Sequence, residues 1–541
     1  MSKEVFVRKA TGLTRPFGLL DTFIIAASML NMGSGMLLVF SSSLAFGPSY
    51  NFVLSMFLAL VMNIFVGVTY AMMTTAMPRS GGDYVFVSRT INAPLGFANN
   101  FFWTVVSILG IAWNCLFMAG TAVSASLLVG GSVLNSDYLR SLGQAVTQPT
   151  GAFIIGLVTM LFIMVLLILP AKLLKVINLA AFAIGMIAVV AWIVVLAITP
   201  TSTFIANFNN FAQAYTNNPN SYEMVINAAK SNGLTISTDW NAVWGATLAS
   251  LPISYFTLGG ANIVNFFSGE IKDAGRTSMW AIVGSLIFVF AFGTLLGAVL
   301  FNSTGYEFMA ALSYLAFNVP TNYALPTPPY IPLIVSIASP NMAMVLLTLV
   351  GMICWLYLIA MAYYLIATRN LFAWSYDGVL PTWFSETHKK FYTPVRSVVT
   401  ITILGIIGLA IYDYYSLAFS FTNFTTAFNT CWLIPCLAAA VFPFVKKNMF
   451  EAQPGFVKKR LAGIPMITIL GILGALSVVW MDVLVYLNPG YAGIAAYLKD
   501  ITLAVLFVIF AVGLVFFFAA KAAQKSRGLD LSLVFKEIPP S

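Results

Sequence analysis

The sequence predicts an all-α polytopic membrane protein with twelve transmembrane helices, and three observations carry that prediction. Apolar residues make up 60% of the 541 positions and charged ones only 8%, whereas a soluble globular protein carries about 25% charged residues. The apolar positions gather in runs of the roughly 20 residues that cross a hydrocarbon core. Lysine and arginine then alternate between successive connections, so that all but Arg140, Lys230 and Lys499 fall on one side of the bilayer. Cytoplasmic loops retain basic residues, so both termini are expected in the cytoplasm. A single missed or invented span would invert every later connection and spoil the segregation. The net charge of +9 is therefore topogenic, and no basic soluble face for nucleic acid is expected.

The spans are read in order at about residues 18–45, 52–77, 95–129, 151–170, 174–199, 243–269, 277–302, 341–376, 396–414, 417–445, 463–487 and 498–521. They divide the chain into a cytoplasmic segment 1–16, spans 1–5 in 17–200, an extracellular loop 201–242, spans 6–10 in 243–446, spans 11–12 in 447–521 and a cytoplasmic tail 522–541. The connections 200–241 and 303–340 are rich in Asn, Thr, Pro and Tyr with few charges, and are expected to be extracellular caps. The polar start MSKEVFVRKATGLTRPFGLL shows no cleavable leader, so residue 1 is expected to remain.

Several functions are excluded by supply. One histidine, His388, leaves little material for a His-based active site, and Cys115, Cys354, Cys431 and Cys436 all sit inside apolar runs as small hydrophobes. No cofactor or metal is expected. No phosphate-binding loop is present to use ATP.

Two spans carry glycine-rich interruptions near mid-depth. Span 1 reads IIAASMLNMGSGMLLVF, with Gly33, Ser34 and Gly35 at its middle, and span 6 reads LPISYFTLGGANIVNFF, with Gly259 and Gly260 followed by Asn262. Each helical Gly costs about 1 kcal/mol relative to Ala, and paired glycines free N–H and C=O groups that hydrocarbon cannot satisfy. Either motif alone is read more readily as close helix packing. Together they occupy corresponding positions if spans 1–5 and 6–10 form two five-helix repeats, inverted because five is odd. Breaks at matching places in inverted halves point to a transporter site. Amides of the second half of span 1 would take a carboxylate and carbonyls of span 6 an ammonium, which together describe an amino acid.

The connections then show a resemblance. AMPRSGGDYVFVSRTINAPLGF (76–97), GEIKDAGRT (269–277) and RNLFAWSYDGVLP (369–381) with the following HKKFYTPVRS are similar to segments after the second, sixth and eighth helices of amino acid permeases of the amino acid–polyamine–organocation (APC) superfamily. The resemblance implies the LeuT-type fold, two inverted five-helix repeats (1–5 and 6–10) plus two C-terminal helices, with alternating access around a midplane site. It places Gly33, Ser34 and Gly35 at the carboxylate, Phe256, Thr257 and Gly259 at the α-amino group, and Phe256 as an aromatic closing over the substrate four residues before Gly260. Asn31, Asn114 and Tyr363 are further pocket candidates.

Two departures from those permeases bear on coupling. Asn262 stands where several relatives carry an acidic side chain, and Gly185 falls where some proton-coupled relatives have a lysine. Span 8 in IAMAYYLIAT also lacks the paired hydroxyls of a sodium site. A secondary transporter of neutral or aromatic amino acids in the cytoplasmic membrane is expected, by proton symport with H+ or by exchange, because Asp21, Asp413 and Asp482 all lie near span ends. The alternative is an amino acid-binding membrane receptor or partner subunit without flux. Arg79, Asp83, Arg89, Glu270, Arg369 and Asp377 are topogenic or form an inner gate, with the pairing left open.

Overall fold

The computed structural model describes residues 15–30, 32–388, 393–414, 421–487, 496–528 and 530–535. Among them, eleven segments are long and apolar enough to cross a membrane. The segment expected as span 6 is not one of the eleven, because it is divided into an α-helix Trp240–Thr257 and a 3-10 segment Ala261–Glu270. Span 1 runs from Leu19 to Phe46 with its own interruption, and spans 2 to 5 are Phe52–Ala76, Ala93–Val133, Pro149–Ile168 and Ala171–Ile198. Spans 7 to 9 are Ala274–Thr304, Met342–Tyr376 and Val395–Tyr414. Span 10 is Phe421–Thr430 with Leu433–Val445, and spans 11 and 12 are Met466–Leu487 and Ala496–Ser526.

Burial separates a central group of spans from a lipid-facing shell. Protein covers 94% of the apolar stretch of span 1, against 28% for span 4 and 11% for span 12. Lipid is as apolar as Leu, so central spans are held by close packing and hydrogen bonds instead of by exclusion from water. Spans 1, 6 and 8 pack on one another, span 3 packs on span 8, and span i repeatedly touches span i+5: 1 with 6, 2 with 7, 3 with 8 and 4 with 9.

Three local features depart from the sequence expectation. The connections after spans 5 and 7 are largely helical: Thr201–Thr216 and Ser221–Ser231 in the first, Tyr306–Asn318 and Ile331–Ala338 in the second. Their polar composition hides an apolar stripe at helical spacing, in which Phe204, Phe208, Phe211 and Ala212 are buried while Asn210 and Gln213 are exposed. Span 3 contains a π-helical stretch, Met118–Ser124. Span 10 relaxes into a turn at Cys431 and Trp432.

Candidate functional site

Span 1 stops at Leu30, turns through Met32 and Gly33, and restarts as Ser34–Phe40. Asn31 lies outside the described residues. The glycines are needed because two other spans press directly on the exposed backbone. A Cβ on Gly33 would stand 2.5 Å from Cβ of Trp355 in span 8, and one on Gly35 would stand 2.9 Å from the Leu30 carbonyl oxygen and 3.0 Å from Cγ2 of Thr257 in span 6. The Thr257 hydroxyl donates to the Gly35 carbonyl at 3.2 Å, so one break is tied to the other.

In span 6 the α-helix ends as the Gly259 amide turns back to the Phe256 carbonyl at 3.0 Å. Gly260 follows with φ +98°, a conformation that side-chain-bearing residues rarely adopt. The chain restarts at Ala261, with the Ile263 amide on the Gly260 carbonyl at 2.9 Å. A Cβ on Gly260 would stand 2.7 Å from Cγ of Met29, just before the break in span 1, and one on Gly259 would stand 2.5 Å from the Trp432 ring.

Where the breaks meet lies a cavity of about 10 Å³, lined by Met29, Leu30, Gly35, Leu38, Trp113, Phe256, Thr257, Ile359, Tyr363 and Phe428. That is about the space of one water, so the site is closed down below the size of an amino acid. None of these lining residues is charged. The walls are aromatic: Phe256 meets Phe428 edge-on at 5.0 Å and Phe424 at 5.9 Å, Trp113 stacks on Phe424 at 5.8 Å, and Tyr363 lies 6.2 Å from Phe424. Tyr363 is seated on Gly110 of span 3, where a Cβ would stand 2.8 Å from Cζ of its ring.

Of the residues singled out in the sequence, Gly35, Phe256, Thr257 and Tyr363 line this cavity, while Gly33, Ser34, Gly259 and Gly260 form the breaks beside it. Asn262 and Asn114 do not line it. Asn262 is buried on the 3-10 segment beside Tyr70 of span 2, and the Asn114 amide donates back to the Gly110 carbonyl of its own helix at 2.8 Å. The sequence reading missed Trp113, Phe424 and Phe428, which look like any aromatic in an apolar helix. One signal was available in span 10, since Phe424, Phe428 and Trp432 recur every four residues and so share a face.

The sequence pattern of the family described as amino acid permease matches residues 17–527. The chain belongs to that family. It is therefore a multi-pass membrane protein of the APC superfamily, a group of amino acid transporters and not of enzymes.

In this permease the space beside Gly185 is filled by an aromatic from span 8. The Trp355 indole N–H donates to the Gly185 carbonyl at 3.1 Å, and a Cβ on Gly185 would stand 2.9 Å from that nitrogen. Trp355 thus wedges between span 5 and the break of span 1.

Four of the six charged residues singled out in the connections form two pairs with one another at the end of the permease that carries the basic loops. Arg89 Nη2 lies 2.7 Å from Asp377 Oδ2, both almost wholly buried. Arg369 grips Glu270 with two bonds, Nε to Oε1 at 2.8 Å and Nη2 to Oε2 at 3.0 Å. The first pair joins the short helix Asp83–Thr90 to the end of span 8, and the second joins span 8 to the end of span 6. Phe535 of the tail lies over the Arg89 guanidinium at 4.8 Å, and the Gln524 amide donates to the Gly378 carbonyl at 2.7 Å. Phe17 bonds the backbone after Phe267, its amide on the Glu270 carbonyl at 3.2 Å and its carbonyl taking the Lys272 amide at 2.9 Å.

Proposed function

We propose that this permease carries neutral or aromatic amino acids across the cytoplasmic membrane by alternating access, as a secondary transporter working by proton symport or exchange. The observation that carries the reading is the meeting of two helix breaks at an uncharged, aromatic-walled cavity. Main-chain dipoles freed at a break can hold the two charges of a zwitterion without a charged side chain. The amides at Ser34 and Gly35 would take the α-carboxylate. Carbonyls of Phe256, Thr257 and Gly259 would take the α-ammonium. Phe256, Tyr363, Phe424 and Phe428 would enclose the side chain, while a cationic side chain would find no carboxylate among the cavity-lining residues.

The repeated contact of span i with span i+5 supports an inverted pair of five-helix repeats, 17–200 and 243–446. In this reading the basic end is cytoplasmic and the opposite end extracellular, and the Arg89–Asp377 and Arg369–Glu270 pairs form the inner gate, closed here. Opening must part those pairs while the aromatic walls re-pack, a bistable change of the kind that closes around ligands.

Counterflow tests the reading. Proteoliposomes preloaded with unlabelled leucine, phenylalanine or arginine are expected to take up the matching labelled amino acid for the first two and far less for arginine. Preferred arginine flux would overturn the specificity, and binding without any flux would mark a receptor instead of a carrier.

A further inference from the structure

One buried ionisable group has no part in the reading so far. Asp83 opens the short helix between spans 2 and 3 and has no exposed surface. Its Oδ1 accepts the Asn100 amide at 2.7 Å and its Oδ2 the Asn99 amide at 3.4 Å, both from span 3. Among the described residues no cation pairs with it, since Arg89 on the same helix is bonded to Asp377. The other ionisable groups near it are Tyr70 of span 2 and Cys431 of span 10, with Asp482 of span 11 on the far side of Cys431 and Tyr84 beside the Arg89–Asp377 pair. None supplies a positive charge, and a carboxylate so enclosed is far more costly than its neutral acid. Burial accordingly lifts the Asp83 carboxyl from its ordinary range to about 7, against the opposing pull of the Asn100 amide and the Tyr84 backbone N–H.

The location links that proton to the gate. Asn100 also donates to Asn370 Oδ1 at 3.1 Å and accepts the Trp374 indole N–H at 2.8 Å, both on the stretch of span 8 that leads to Asp377. The junction of the short helix with spans 3 and 8 is therefore one seam: Asp83 is bonded to Asn99 and Asn100 of span 3, Asn100 relays to span 8, and the Arg89–Asp377 pair ties the same helix to the end of span 8. Parting that seam would break the ion pair and admit water to Asp83 in one movement.

We propose that Asp83 is a proton-binding site that controls the basic end of the permease: closing this end takes a proton up from the adjoining water, and opening it releases the proton there. The proposal rests on the reading of that end as the cytoplasmic gate. The sign follows from the raised affinity for protons in the closed state. Closure is favoured fully below the ordinary carboxylate range, loses that advantage as pH climbs to about 7, and is indifferent to pH above it. A lower internal pH thus holds the inner gate shut.

The test compares the wild type with Asp83→Asn, whose amide stays neutral, and with Asp83→Glu, which keeps a titrating group. Phenylalanine exchange in proteoliposomes, with external pH fixed, is expected to rise severalfold for the wild type as internal pH goes from acidic to neutral. Asp83→Asn should be slow and flat over that range with KM unchanged, and Asp83→Glu should regain a rise with a moved midpoint. In detergent, melting temperature gives a readout that needs no transport: the wild type should lose stability from acidic to neutral pH relative to Asp83→Asn. That second readout separates failure of the proton site from failure of the transport reading. A wild-type profile in Asp83→Asn, in exchange or in melting, would overturn the proposal.

Discussion

The two ends of this permease are held together by different chemistry. At the basic end, charge is buried: Arg89 with Asp377, Arg369 with Glu270, and the cation-free Asp83 beside them. At the far end, closure is neutral. Tyr306 donates to the carbonyls of Pro48 and Tyr50 at 3.0 and 2.9 Å, the Asn318 amide donates to the Ala45 carbonyl at 2.8 Å, and Tyr222 stacks on Phe308 at 4.2 Å. The ion pairs found there among the described residues, Lys230–Glu307 and Arg140–Asp137, each hold a carboxylate that is more than half exposed. Buried pairs are costly to break singly, because the surviving partner is left uncompensated, whereas neutral hydrogen bonds are exchanged for water at small net cost. Under the proposed alternating access, the difference would make the basic end a two-state gate sensitive to charge and pH, and the far end a softer closure governed by packing.

The largest effect is expected midway between the ends, at the proposed substrate site. Gly260→Leu puts a side chain at φ +98° and into Met29, and should abolish phenylalanine binding while the protein still reaches the membrane, as read by scintillation binding against an immunoblot. Next, Arg89→Ala should cost the closed basic end about 3–5 kcal/mol, read as faster thiol labelling of a cavity cysteine from that side. The swap of Arg89→Asp with Asp377→Arg should restore part of the protection. Tyr306→Phe removes the two bonds to Pro48 and Tyr50 at the far end and should cost about 1 kcal/mol, with faster labelling from the far side only. Smallest of all, Lys230→Ala should change neither labelling nor melting by more than about 1 kcal/mol, because its pair is exposed. Equal responses of the two ends to Arg89→Ala and Tyr306→Phe would erase the contrast.

The spans and the two breaks were legible because each leaves a composition signal: apolar length, basic loops, and Gly33, Gly35, Gly259 and Gly260 where no Cβ fits. The amphipathic helices of the far end were not, because Phe204, Phe208 and Phe211 are embedded among Asn, Thr and Gln that read as loop. The inner-gate partners were unreadable for another reason. Arg89 and Asp377 are 288 positions apart, and only the packing of the short helix on span 8 selects that pairing from several of like charge. The aromatic wall was hidden by abundance: with 45 phenylalanines in the chain, only the four-residue spacing of Phe424, Phe428 and Trp432 sets them apart from lipid-facing rings, and that spacing does not say which way the face points. Asn114 shows the converse, a polar residue that drew notice and turned out to bond its own helix.

The central claim is that main-chain atoms at the two breaks grip the substrate. A structure determined with phenylalanine bound tests it most directly. The account predicts ligand density between spans 1 and 6, its carboxylate on the amides at Ser34 and Gly35, its ammonium on carbonyls next to Gly259, and its ring among Phe256, Tyr363 and Phe428. Density elsewhere, with both breaks wound into continuous helix, would contradict it.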